Sequence, residues 1–297
     1  MIPQFLQDKL NAQYGEELTN KILEGYTKKR KVTLRVNTLK SNIQEIKENL
    51  NNNNIEYKTV NWSKEALIIE NVREDEITKL DIYKEGKIYL QSLSSMLPPI
   101  ILEPKENTDI LDMTAAPGGK TTQIAAMVNN KARITACEMN NIRAEKLRYN
   151  IEKQGATCAY VMVTDSRKID DFFSFDQILL DAPCSGSGTL DATNAKTEKI
   201  FTPKLIEKSV KAQITLLTKA LKILKPGKEL VYSTCSILKE ENEEIIKQVL
   251  KKSNAKIKPI SNENLKELPQ LPTSIEGTLC VCPTEEYEGF FVAKMSN

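Results

Sequence analysis

DILDMTAAPGGKTTQIAAMV, residues 109–128, decides the fold: a buried apolar strand, DILDMTAA, runs into a proline-glycine-glycine loop that opens a helix, PGGKTTQIAAMV. ARITACEM follows as a second strand, and NNIRAEKLRYNIEKQG as a helix closed by Gly155, which completes a βαβ unit. Outward from it, AYVMVTD, FDQILLDAP and KELVYSTCS supply further strands. Thr202-Pro203 caps a helix running towards Leu224, and EGFFVAKM closes the sheet. The pattern predicts an α/β fold with a doubly wound, mostly parallel sheet.

Upstream, VTLRVNTL (32–39) alternates Val32, Leu34 and Val36 against polar positions. Ser41 and Gln44 form a capping box for a helix that turns Ile43, Ile46 and Leu50 inward. Strands near Ile55–Val60 and Ala66–Val72 follow, so the β-α-β-β order predicts a small α+β module ending before residue 100, with helical material on both sides. NNNN at 51–54 reads as a polar loop, and no repeat of solenoid length is present.

At 297 residues and 40% hydrophobic composition the chain is long enough for two domains, each with its own core. Lysine and arginine number 42 against 40 acidic residues, so any nucleic-acid surface is local rather than global. YTKKRKVTLR, residues 26–35, concentrates basic residues beside an aromatic, and it reads either as a phosphate-tracking patch or as a solvated charged face. Six cysteines with no signal peptide and no membrane-length apolar run read as free thiols in a reducing cytoplasm. The absence of histidine removes Ser-His and Cys-His dyads and histidine-ligated zinc. Acid-base work falls to Asp, Glu, Lys or Cys.

Parallel sheets bind ligands at the carboxyl ends of their strands. There the sequence sets the Ala116–Gly119 loop at a helix start, Glu138 at the second strand end, Asp165 at the third, and Asp181 with Cys184 in LLDAPCSGSG (179–188). Any one of these carboxylates alone is more economically a solvated loop residue. Repeated at successive strand ends, they describe a nucleotide-type cofactor site, with Glu138 placed for two ribose hydroxyls and Asp165 for an exocyclic amine. The loop is neither a P-loop nor G-x-G-x-x-G.

TAAPGGKTT, DAPCSGSG and YSTCSILKEENEE, in that order and spacing, resemble the Sun/Fmu-type family of RNA cytosine-5 methyltransferases. The likeness extends through LRVNTLK, YLQSLSSMLPPIILEP and EGFFVAKM to nearly the whole chain. The resemblance implies a Rossmann-like class I methyltransferase domain using S-adenosylmethionine over residues 101–297, behind an RNA-binding, RRM-like α+β module over residues 1–100. It implies a cofactor loop of Thr114, Ala115, Ala116, Pro117, Gly118, Gly119 and Lys120, with Glu138, Arg143, Asp165 and Asp181 as further cofactor contacts. It makes Cys235 of STCS the nucleophile and gives Cys184 of APCSG a part in product release. The compact layout resembles archaeal tRNA-modifying members, which favours tRNA over rRNA as the partner of a monomeric, metal-free, cytoplasmic enzyme with no membrane association. Thr114 stands where the family often has cysteine. TLDATNAK (189–196) lacks an arginine-rich Pro-Asp sequence, and Lys228 replaces a glycine in KPGK.

The residue chemistry supports two thiols. Cytosine C5 is too weak a nucleophile to take a methyl group from a sulfonium until a thiolate adds at C6, and the adduct must afterwards be resolved. Asp181 suits a hydrogen bond to the exocyclic amine or a protonated N3, and the Lys120 ammonium suits a thiolate or the base. Cys137, Cys158, Cys280 and Cys282 lie in apolar runs and read as small hydrophobes, and Cys280-x-Cys282 lacks the spacing and the partner pair of a zinc site. Two rivals exist. A DNA cytosine-5 methyltransferase would use Pro183-Cys184, and Glu70-Asn71-Val72 mimics its second motif, but the order is wrong and STCS is left unexplained. A non-catalytic RNA-binding or ribosome-assembly factor predicts loss of a reactive position, yet Lys120, Asp181, Cys184 and Cys235 are all present.

Overall fold

Val32–Val36 (β1) forms as its alternation predicts in the computed structural model, which describes residues 2–194 and 197–297. The chain divides into two compact units, one of Lys31–Leu179 and one of the residues up to Arg30 together with Leu180–Asn297.

In the first unit β1 pairs with Ser63–Ile69 (β3), which pairs with Tyr57–Val60 (β2); Ile88–Leu90 (β4) lies on the other side of β1, and every pairing is antiparallel. Helix Ile43–Asn52 packs Ile46 and Leu50 against Leu34, Val36, Leu67 and Ile88. The N-cap is Asn42, not Ser41: the Asn42 side chain accepts from the Glu45 amide at 3.0 Å, and the Ser41 hydroxyl donates to the Glu45 carboxylate from outside the helix. Asn42-x-x-Glu45 is as good a capping pair as Ser41-x-x-Gln44, and it leaves Ile43 as the first helical residue. NNNN is a helix end rather than a loop: Asn51 and Asn52 finish the helix, Asn53 caps it and Asn54 turns left-handed at φ 55°. β3 begins three residues before the expected Ala66 because the hairpin is tight, with Val60 opposite Ser63.

The same unit holds the parallel strands Asp109–Asp112 (β5), Arg133–Glu138 (β6) and Ala159–Val163 (β7), with Phe175–Asp181 (β8) running parallel to β5 on the side away from β6. Ile110, Leu111, Ile134, Ala136, Ile178 and Leu179 are fully buried, each large aliphatic side chain contributing about 1.5–3 kcal/mol. Helix Gly119–Met127 connects β5 to β6. Helix Asn141–Gln154, capped by the Asn140 side chain and closed by Gly155 at φ 68°, connects β6 to β7. The doubly wound reading stands.

In the second unit the tail of β8 adjoins Leu224–Thr234 (β9), the Ala182 amide donating to the Ser233 carbonyl at 2.8 Å. Lys256–Lys258 (β10), Gln270–Leu271 (β11), Leu279–Val281 (β12) and Phe290–Ser296 (β13) complete it, in the order β11-β12-β13-β9 with β10 also on β13. These pairings are antiparallel. EGFFVAKM therefore forms β13 without closing the sheet, because the short apolar stretch Leu279–Val281 pairs beyond it. Thr202 caps helix Pro203–Ile223 as expected. The amino-terminal helix Gln4–Thr27, kinked at Gly15, buries Leu6, Leu10, Ile22 and Tyr26 in this unit. Tyr14 Oη donates to the Ile237 carbonyl at 2.6 Å and Tyr26 Oη to the Ser187 carbonyl at 2.5 Å. Among the described residues no helix is long and apolar enough to cross a membrane.

Candidate active site

β5 ends at Asp112, a buried carboxylate that sequence reading passed over. It accepts from Thr121 Oγ1 at 2.7 Å and from the Thr114 amide at 3.4 Å, and so ties both ends of the glycine loop to the strand. Its signal was legible: DILD, ARITACE and FDQILLD all end on an acid. The Ala115 amide donates to the Cys137 carbonyl at 2.8 Å, and Ala116-Pro117 is a cis peptide. Gly118 stands before the helix at φ 112°, a backbone conformation that favours glycine, and a Cβ there would come within 3.0 Å of Leu147 Cδ1. The loop thus presents backbone at a helix N-terminus, as an anion or nucleotide site requires.

Glu138 is 4% exposed at the end of β6, with Oε1 accepting from the Asn140 amide at 2.9 Å and Oε2 3.4 Å from Arg143 Nη2. These contacts fix the carboxylate and leave it lone pairs for two hydroxyls. Asp165 is bound by Arg167 through Nε at 2.9 Å and Nη2 at 2.6 Å, and that hydrogen-bonded pair holds its carboxyl below the usual carboxylate range. Arg143 also donates to the Ala116 carbonyl at 3.0 Å, so its guanidinium shapes the loop and steadies Glu138. Lys120 Nζ donates to Ser95 Oγ at 2.8 Å. Gly loop, buried acid and strand-end acid together fit an adenosine-type cofactor.

In the other unit, Asp181 at the end of β8 accepts from Ser233 Oγ at 2.8 Å. Cys184 and Cys235, 51 residues apart in sequence, are brought to a sulfur-sulfur distance of 3.1 Å. The hydrogen bond with Cys235, then removal from water, holds the Cys184 thiol well above the ordinary thiol range, with the negative charge of Glu241 acting in the same direction. In the contact between the two sulfurs either thiol can be the donor. Glu241, unassigned by sequence reading, is fully buried and accepts from the Ser185 amide at 2.7 Å, Ser185 Oγ at 2.5 Å, Ser236 Oγ at 2.6 Å and Gln213 Nε2 at 3.2 Å. Nothing in the acidic run KEENEE marks it out. The Gly188 amide donates to the Cys235 carbonyl at 2.9 Å, and a Cβ on Gly188 would meet the Gly289 carbonyl oxygen at 1.9 Å, so only glycine fits this close approach.

The other four cysteines are buried and unpaired by disulfides. Burial pushes the Cys137 thiol up to about 12 and Cys282 up to about 11. Among the described residues no group of three His, Cys, Asp or Glu could hold a metal ion. In the basic stretch at 26–35, Lys28 and Lys29 are exposed, while Arg30, Lys31 and Arg35 are engaged with protein partners. Arg30 Nη1 donates to the Thr284 and Tyr287 carbonyls, Lys31 pairs with Glu70 at 2.8 Å, Lys28 pairs with Glu24 at 3.0 Å, and the buried Arg35 donates to Gln91 and Thr122. The last two residues of TLDATNAK lie outside the described residues.

Residues 99–296 match the family model described as 16S rRNA methyltransferase RsmB/F, and residues 2–74 match its ferredoxin-like domain. The chain is 34% identical over 273 residues to the tRNA (cytosine(49)-C(5))-methyltransferase of Pyrococcus abyssi, covering 89% of this chain and 87% of that one. It is 34% identical over 272 residues to the ribosomal RNA small subunit methyltransferase F of Shewanella sp. (strain ANA-3), covering 89% of this chain and 56% of that relative, or about half its length. A solved methyltransferase homolog protein from Pyrococcus horikoshii superposes with a TM-score of 0.83 at 33% identity, covering 100% of both chains.

Proposed function

The chain belongs to the RsmB/F family of RNA cytosine-C5 methyltransferases, and from that membership we propose that it methylates C5 of a cytosine in RNA, using S-adenosylmethionine and a covalent bond between Cys235 and C6. The observation that carries the reading is the pair of sulfurs 3.1 Å apart, drawn from two separate motifs.

Bound at the glycine loop, S-adenosylmethionine supplies an electrophilic methyl group on a sulfonium. Residues 114–120 cradle it, Glu138 takes the ribose hydroxyls, Asp165 the exocyclic amine, and Asp181 stands at the next strand end. Cys235 as thiolate adds to C6, which turns C5 into the nucleophilic carbon of an enamine. Asp181 accepts from the exocyclic amine or from a protonated N3, which favours the charge that builds in the ring, while the Lys120 ammonium favours the anionic partner. Once C5 carries the methyl group, its proton passes to water and the C5–C6 double bond re-forms as the C6–S bond breaks. Cys184, still protonated, hydrogen-bonds the departing Cys235 thiolate.

In this reading residues 1–100 engage the RNA and residues 101–297 carry the chemistry. Six cysteines free of disulfides support a cytoplasmic setting. The likeness to the tRNA (cytosine(49)-C(5))-methyltransferase, 34% identical over 89% of this chain, supports tRNA as the substrate.

The test is transfer from methyl-labelled S-adenosylmethionine to transcribed tRNA and to small-subunit rRNA, followed by nucleoside analysis and bisulfite mapping. Label in 5-methylcytidine of tRNA, absent with Cys235→Ala, is the expected result. Label confined to rRNA would reverse the substrate assignment, and label on another atom, or on neither RNA, would overturn the activity.

A further inference from the structure

We infer that Glu241 is the positioning residue of the thiol pair: one buried carboxylate grips the residue that follows each cysteine and so sets the distance between the two sulfurs. The catalytic meaning of this role rests on the function proposed above; its geometry does not.

Ser185 follows Cys184 and Ser236 follows Cys235. Glu241 Oε2 accepts from both hydroxyls, Ser185 Oγ at 2.5 Å and Ser236 Oγ at 2.6 Å, while Oε1 accepts from the Ser185 amide at 2.7 Å. Gln213 Nε2 bridges Oε1 at 3.2 Å to the carbonyl of Pro183, the residue before Cys184, at 3.0 Å. Glu241 is itself anchored, since Tyr232 Oη donates to its carbonyl at 2.6 Å. None of the four side-chain and amide donors to the carboxylate is charged. A carboxylate removed from water persists only where its lone pairs are filled, and neutral donors fill them directionally, so each bond fixes an atom rather than balancing a charge. The Cys184 loop is held on both sides of its sulfur and the Cys235 loop through Ser236. A second tie, Ser187 Oγ to Ser236 Oγ at 2.8 Å, joins the same loops, but it reaches Cys184 only through three residues of backbone.

The separation of the sulfurs can be measured without RNA or cofactor. Diamide, a diazene, takes two hydrogens from a pair of neighbouring thiols, becoming a hydrazine as the disulfide forms. Wild-type protein should yield the Cys184–Cys235 disulfide, identified by peptide mass. Glu241→Ala should slow its formation by about tenfold or more, and methyl transfer should lose about a hundredfold in kcat with KM for S-adenosylmethionine unchanged. Glu241→Gln should retain cross-linking within about threefold of wild type, since its amide oxygen still accepts and serine hydroxyls can turn to accept from its nitrogen. Should Glu241→Ala fail to fold, the double variant Ser185→Ala/Ser236→Ala keeps the carboxylate on Ser185 N and Gln213 and should cross-link as slowly. Wild-type cross-linking rates in the folded alanine variant, or in the double serine variant, would overturn the inference. Slowed cross-linking in a protein that methylates no RNA would leave the clamp standing and remove the function.

Discussion

Arg143 Nη2 donates to the Ala116 carbonyl at 3.0 Å and stands 3.4 Å from the Glu138 carboxylate. One guanidinium therefore spans the end of β6 and the glycine loop. The sequence marks Arg143 as a cofactor contact, and its guanidinium also holds the loop carbonyl and the Glu138 carboxylate in place.

The first prediction separates those two roles by calorimetry with S-adenosylmethionine. Hydrogen bonds to a charged acceptor contribute roughly 1.5–3 kcal/mol each, so Glu138→Ala should weaken binding by at least about tenfold. Arg143→Ala should cost about threefold, because its side chain is 60% exposed and its ion pair is screened by solvent. Unchanged affinity in Glu138→Ala would remove that residue from the site.

The two sulfurs should differ in what their loss leaves behind. Incubated with substrate RNA and S-adenosylmethionine, Cys184→Ala should form the covalent protein-RNA species and release it slowly, giving a denaturant-resistant band of retarded mobility. Cys235→Ala and the double variant should give none, and methyl transfer should fall in all three. A trapped species with Cys235→Ala and none with Cys184→Ala would make Cys184 the nucleophile.

Alkali should weaken the fold through its buried thiols. Burial raises Cys137 from 9.0 to about 12, so folding favours the protonated form. That contribution is fully present below pH 9.0, where the unfolded thiol is also protonated, and is lost as pH rises through the folded value. Urea denaturation between pH 8.5 and pH 10.5 should show stability falling by up to about 1.4 kcal/mol per pH unit for this group. Cys137→Ala should flatten the decline, and an identical slope in that variant would refute the assignment.

The parallel strands, the glycine loop and its helix were legible in the sequence because their signals are local: an apolar run, Pro-Gly-Gly, and a helical period closed by Gly155. The same holds for Thr202 as a cap. Glu241 was not legible, because its burial depends on Ser185 and Gln213, which are 56 and 28 residues away. Ser41 and Asn42 offered equal caps, and the choice fell to which residue first turned helical. Arg30 and Arg35 looked like solvent-facing charges because only tertiary contacts reveal the carbonyls, amide and hydroxyl they serve.

Gln13 and Tyr14 find their partner, the Ile237 carbonyl, 224 and 223 residues further along. As the polypeptide leaves the ribosome, Lys31–Leu179 is wholly synthesised while the amino-terminal helix still waits for most of its neighbours. Closing so long a loop costs more chain entropy than local pairing does, so this contact cannot form before the far strand has been made. The two sulfurs that stand 3.1 Å apart in the folded chain can meet only after synthesis has passed Cys235.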